Sequence, residues 1–157
     1  MKKTALLAIS LFLISGSVFA APKILSTNPQ AALENKEFET QEEARKVLDE
    51  AMQLLTTDKI ADAFVLVEPY FPMPQDELSE LKMQIIHQRA LVKPRFGTPL
   101  GFEFLEQKSI ENLLTQYIYV ERYERHALRW VFTLYKPKEK WILNAIAFDD
   151  KIDQLVK

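Results

Sequence analysis

From Thr40 onward apolar side chains recur at Ala44, Val47, Leu48, Ala51, Leu54 and Leu55, in steps of three and four that place them on one face of a helix. Thr40 followed three residues later by Glu43 has the spacing of a capping box, so the pattern predicts a helix from Thr40 to about Thr56. Asp58 is expected to cap a second helix with Ile60, Ala63, Phe64, Val67 and Phe71 on its buried side, and Pro69 marks where that helix tightens or stops. Beyond the corner Pro72-Met73-Pro74, a third helix is predicted from about Gln75 to Val92. Its inward residues are Leu78, Leu81, Ile85 and Ile86, and its outward ones Glu77, Glu80, Lys82 and Arg89. Pro94 is expected to stop it.

After Arg95 the pattern changes. Gly97, Pro99 and Gly101 interrupt helical continuity, and β-branched and aromatic residues become dense. Alternation then predicts four strands, at about residues 101–109, 113–124, 127–136 and 140–148, joined by connections short enough for hairpins. Asp149 is expected to cap a last helical turn through Leu155. The fold class predicted is α+β, with three amino-terminal helices packed on a curved four-stranded antiparallel meander.

Strand alternation also sorts side chains by face. Tyr117, Tyr119, Glu121 and Tyr123 point one way, and Ile118, Val120 and Arg122 the other. Leu128, Trp130, Phe132 and Leu134 form an apolar face in the next strand. In the last strand Asn144 falls on the face of Ile142, Ile146 and Phe148, where an amide must find a partner or line a cavity.

The first twenty residues follow a different logic. Lys2 and Lys3 precede an apolar stretch from Ala5 to Ile14, and Val18 and Ala20 stand at the minus three and minus one positions that a signal peptidase reads. The stretch is shorter than the roughly 18 residues a spanning helix needs. The expectation is a secretory signal peptide over residues 1–20, cleaved after Ala20, and a periplasmic protein with no stable membrane anchor. Residues 21–39, with two prolines and no sustained period, are expected to be a flexible leader to a single domain over residues 40–157. The absence of cysteine excludes a lipid-modified amino terminus and any disulfide.

Loss of the first twenty residues would leave 137 residues with 18 basic and 22 acidic side chains, a net charge of −4. A negative surface argues against nucleic acid as a partner. A chain of this size buries enough surface to fold without a metal or disulfide. Only Gly97 and Gly101 lie beyond the signal segment, so no phosphate-cradling loop is present and no cofactor is expected. With two histidines, no cysteine and no GxSxG elbow, zinc, thiol and serine-triad chemistry lack their residues. His126 among Arg122, Arg125 and Arg129 reads as a turn histidine, and His87 as a helix-surface one. Asp149, Asp150 and Asp153 form a DDxxD string, which reads as a helix start rather than a magnesium site. No catalytic and no metal-binding residue is assigned.

The order of elements, with GTPLGFE (Gly97–Glu103) entering the first strand and YKPKEKWILNAIAF (Tyr135–Phe148) as the last hairpin, resembles the cone-shaped NTF2-like (cystatin-like) superfamily across about residues 40–156. That resemblance implies ligand binding in the cavity between sheet and helices, where Tyr119, Glu121, Arg122, Trp130 and Asn144 become candidate ligand-binding residues. The superfamily hosts enzymes, receptors and assembly modules, so fold does not choose a function. The leading expectation is a non-enzymatic binding or interaction module, contacting a second copy of itself or an envelope protein through the sheet, or a small apolar ligand. The alternative is an acid/base enzyme of isomerase or dehydratase type, with Glu121 and Tyr119 inside the cone.

Overall fold

The computed structural model of the chain describes residues 35–156; the expected signal peptide and most of the leader lie outside them. Helix α1 (Gln41–Thr56) starts where the capping box places it. Thr40 Oγ1 accepts from Glu43 N at 3.1 Å, and Glu43 Oε2 accepts from Glu39 N at 2.8 Å. Helix α2 (Ile60–Val67) buries Ile60, Ala63, Phe64 and Val67, the stripe the spacing predicts, and passes into a one-turn 3₁₀ helix at Glu68–Tyr70. Helix α3 (Gln75–Phe96) follows the proline corner.

Strands β1 (Pro99–Ile110), β2 (Leu114–Tyr123), β3 (Ala127–Tyr135) and β4 (Ile142–Asp149) make one open antiparallel sheet in the order β1-β2-β3-β4. Among the described residues the fold is α+β, with three α-helices and a four-stranded antiparallel meander. Its single core joins the inward stripes of the helices to Tyr117, Tyr119, Trp130, Phe132, Leu134 and Leu143 on one sheet face. A short 3₁₀ turn, Ile152–Leu155, follows β4; Asp149 does not cap it as expected, since Lys151 holds the cap position without a side-chain bond, and Asp149 instead accepts from Lys151 N at 3.0 Å just before the turn.

Four further local expectations are corrected. Asp58 does not cap α2: Lys59 occupies that position, and Asp58, at φ 60°, directs its carboxylate to Arg89 and Lys93 instead. Helix α3 runs through Pro94 to Phe96 rather than stopping before the proline. Phe96 is buried against Tyr123, and Arg125 donates to the carbonyls of Pro94 and Arg95, satisfying acceptors that the end of the helix leaves without an intrahelical partner. Arg89, expected on the outer face, is buried. A bulge in β4 breaks strict alternation: Leu134 pairs with Leu143 and Thr133 with Ala145, leaving Asn144 as the extra, exposed residue.

The packed body also begins before Thr40. Phe38 is fully buried, exchanges both backbone hydrogen bonds with Trp141 and stacks on Tyr70 with ring centroids 3.8 Å apart. Phe38→Ala is therefore expected to cost about 3–5 kcal/mol in chemical denaturation, the range for truncating a buried phenylalanine. A loss below about 1 kcal/mol would place Phe38 outside the core.

Candidate functional site

Alternation in β2 turns Glu121 inward between Tyr119 and Tyr123, and an i, i+4 step from Ile85 turns Arg89 of α3 toward the same point. Both are buried, Glu121 at 0% and Arg89 at 5% exposure. They meet as a bidentate pair: Arg89 Nη1 donates to Glu121 Oε2 at 2.6 Å, and Nη2 to Oε1 at 3.0 Å. Trp130 Nε1 donates to Oε2 at 2.9 Å, and the Tyr123 hydroxyl to Oε1 at 3.0 Å. Four donors thus converge on one carboxylate. Taking a lone carboxylate out of water would be prohibitive, and this geometry is what makes burial tolerable.

Arg89 also ties the sheet to the helices. Its Nη2 reaches Leu55 O at the end of α1 at 2.8 Å and Asp58 Oδ1 at 3.1 Å. Burial opposes the charge on Arg89, but its bonds to Glu121 outweigh that and hold its pKa above the ordinary value. The hydrogen bond from Lys93 at 2.8 Å, with help from Arg89, holds the Asp58 carboxyl below the usual carboxylate range against a smaller desolvation effect. Nε of Arg89 is the one buried side-chain polar atom without an acceptor among the described residues. On the surface beyond the pair lies a groove of about 500 Å³ lined by Asp58, Ile60, Ile86, Ala90, Lys93 and Arg89 itself.

The five candidates from the sequence do not come together as one ligand site. Glu121 and Trp130 touch each other in the cluster just described. Tyr119 is fully buried and its hydroxyl donates to Asp49 Oδ1 at 2.8 Å, an atom that also accepts from Arg45 Nε at 2.7 Å. Arg122 lies on the opposite sheet face, exposed, 3.5 Å from Glu103. Asn144 sits on the β4 bulge at the far edge. Between helices and sheet, the space lined by Leu55, Phe64, Ile85, Trp130, Phe132 and Ile146 amounts to about 10 Å³, about the room of a single water. Trp130 fills it, stacked on Phe148 at 4.6 Å.

The remaining chemistry-bearing residues are committed elsewhere. Asp149 accepts from Arg129 Nη2 at 2.6 Å and Nε at 3.1 Å, and no cluster suited to a metal ion occurs among the described residues. His87 and His126 are exposed, and the His126 ring lies 4.3 Å from that of Phe96. None of the described helices is long and apolar enough to cross a membrane. No family model, no curated protein and no solved structure matches the chain.

Sequence reasoning passed over Arg89 because a charged side chain on a helix reads as solvated. Two signals were available: Arg89 falls on the stripe Leu78, Ile85, Phe96, and an inward Glu121 demands a cation. Breaking the pair from either side should leave a buried, uncompensated charge. Arg89→Met and Glu121→Leu are each expected to cost about 3–5 kcal/mol in urea denaturation, and the double variant much less than their sum. Additive losses would show that the two side chains do not depend on each other.

The three buried tyrosines set the alkaline limit. Burial pushes the Tyr117 hydroxyl up to about 12 and raises Tyr119 and Tyr123 as well. A folded-state pKa above the unfolded value of 10.0 means stability that is complete below pH 10 and lost as pH rises toward the folded value. Denaturant midpoints are expected to hold steady to about pH 10 and fall across pH 10–12. Tyrosinate absorbance exceeding that of the two half-buried tyrosines, Tyr70 and Tyr135, well before unfolding would contradict this.

Proposed function

We infer that this is an exported, non-enzymatic interaction module: a periplasmic domain that uses the surface of its sheet to hold a protein partner. The observation that carries the reading is the state of Glu121. A general base needs a free lone pair and an approach for substrate, whereas Glu121 accepts four hydrogen bonds and is closed to solvent. Tyr119, the acid that would accompany it, spends its hydroxyl on Asp49. An interior of about 10 Å³ leaves no room for a small apolar ligand beside them. From the order of elements and the two sequence segments that suggest it, we assign the cone architecture of the NTF2-like superfamily, here with an interior filled by aromatic side chains. Export rests on the charged, apolar and small-residue sequence of residues 1–20.

With the interior filled, recognition falls to the outside. The outer sheet face carries an apolar row, Ile118, Val131 and Ala147, with the ion pairs Arg122 with Glu103 and Arg129 with Asp149 along one end of the sheet. Apolar residues flanked by charged ones are the composition of a protein-binding patch. A photo-activated cross-linking residue placed at Val120, Asn144 or Ala147 in the exported protein is expected to give a discrete covalent adduct with a partner or a second copy. The same residue at Glu50 on the exposed helix face should give none. Absence of an adduct from every sheet position would sink the reading.

A further inference from the structure

The sheet has two edges, and they are built differently. β1 is defended as edge strands usually are: it begins at Pro99, is bulged near Gly101 and Leu105, and carries Glu103, Glu106 and Lys108. β4 has none of these charges or prolines between Ile142 and Phe148, and among the described residues no strand pairs with its outer side. One residue before β4 that side is already in use, because Trp141 exchanges both backbone bonds with Phe38 at 2.8 and 2.9 Å. At Lys36 the leading segment bonds Pro69 O, and among the described residues the edge beyond Trp141 has no strand against it.

Two cavities of about 220 Å³ each lie along this open edge. The first is lined by Ile142, Leu143 and Asn144 with Phe71, Met73 and Glu77, and the second by Ile146, Ala147 and Phe148 with Leu81, Gln84 and Gln88. Consecutive strand residues project to opposite faces. The second cavity touches three regularly alternating residues and therefore borders the strand's backbone, while the first opens at the Asn144 bulge and reaches Tyr135 of β3. The first lies between the start of β4 and the Phe71–Pro74 corner with Glu77, and the second between the end of β4 and α3, so the two follow one another along the edge as a discontinuous channel.

We propose that this channel binds an extended peptide segment of a partner protein, which adds to β4 as a fifth strand. The inference rests on the interaction-module reading and names its site and the chemistry of its partner. Unpaired main-chain N–H and C=O groups of β4 supply the affinity, and the two cavities, separated along the strand, take side chains two or more residues apart. Each cavity is below the roughly 300–1,000 Å³ of a small-molecule site, so side chains fit where a compact ligand does not. Charge fixes the polarity. Glu77 stands at the Ile142 end and makes no ion pair among the described residues, while the Ile146–Phe148 end presents glutamines and apolar groups. The segment it fits is apolar and alternating, with a lysine or arginine at the Glu77 end. A second copy fits less well: continuing the sheet through β4 would bring its own α3 against the same channel mouth.

A displayed library of random octapeptides selected against the full chain tests this, with hydrogen exchange of the β4 amides as the second readout. Expected are enriched peptides of period-two pattern with a basic end residue, which slow exchange within Ile142–Phe148 by at least tenfold. Ala147→Lys, at an exposed position, should weaken them at least tenfold while leaving the denaturation midpoint unchanged. Of two synthetic versions of an enriched peptide, N-methylated at odd or at even positions, one should bind and the other fail. Equal binding of both, no enrichment over Ala147→Lys, or protection mapping elsewhere overturns the proposal. Protection of β4 in the chain without peptide also overturns it: concentration-dependent protection assigns the edge to a second copy and spares the interaction reading, and concentration-independent protection assigns it to the chain itself.

Discussion

The ion pair between Arg89 and Glu121 is the constraint around which the rest of this domain is arranged. A carboxylate at 0% exposure in the middle of a sheet is tolerable only if its lone pairs are filled, and the chain fills them from three elements, α3, β2 and β3. Arg89 in turn reaches Leu55 O and Asp58, so one guanidinium fixes the end of α1, the turn into α2 and the sheet relative to one another. A buried pair of this kind adds little net stability over a well-packed apolar core. What it supplies is register: α3 cannot slide or rotate along the sheet without exposing a charge to hydrocarbon.

That arrangement decides what the interior can do. The residues that would serve acid/base chemistry are the same ones that hold the fold, and a group cannot be both saturated with donors and poised to take a proton. The aromatic side chains around them close the remaining space, with Tyr119 edge-on to Phe132 and Trp130 stacked on Phe148. On the proposed reading recognition falls to the surface, where a defended β1 edge and an uncharged β4 edge differ.

Much of this was legible in the sequence, and the parts that were not have identifiable causes. Periodicity located all three helices and four strands, since apolar stripes and alternation are what burial imposes. The inward set Tyr117, Tyr119, Glu121 and Tyr123 followed from alternation alone. Arg89 was misplaced because helical spacing and side-chain charge disagreed, and charge was given precedence; tertiary pairing reverses that order. Asp58 was read as a cap because a local role suffices for an aspartate before a helix, and only the fold reveals distant cations competing for it. Asn144 was placed on the wrong face because one bulge residue shifts every alternation beyond it, and bulges carry no strong sequence mark. Phe38 was assigned to the leader because a single anchoring residue has no period.

The claim that the interior is a closed, structural assembly rather than a site is tested most directly by hydrogen exchange at the Trp130 indole N–H, which donates to Glu121 at 2.9 Å. A structural role predicts that this proton exchanges only when the whole domain unfolds, with a protection free energy equal to the global stability measured in denaturant. Exchange by a local opening, much faster than global unfolding and unaffected by mild denaturant, would show that water and substrate-sized groups reach Glu121 in the folded protein and would contradict the account.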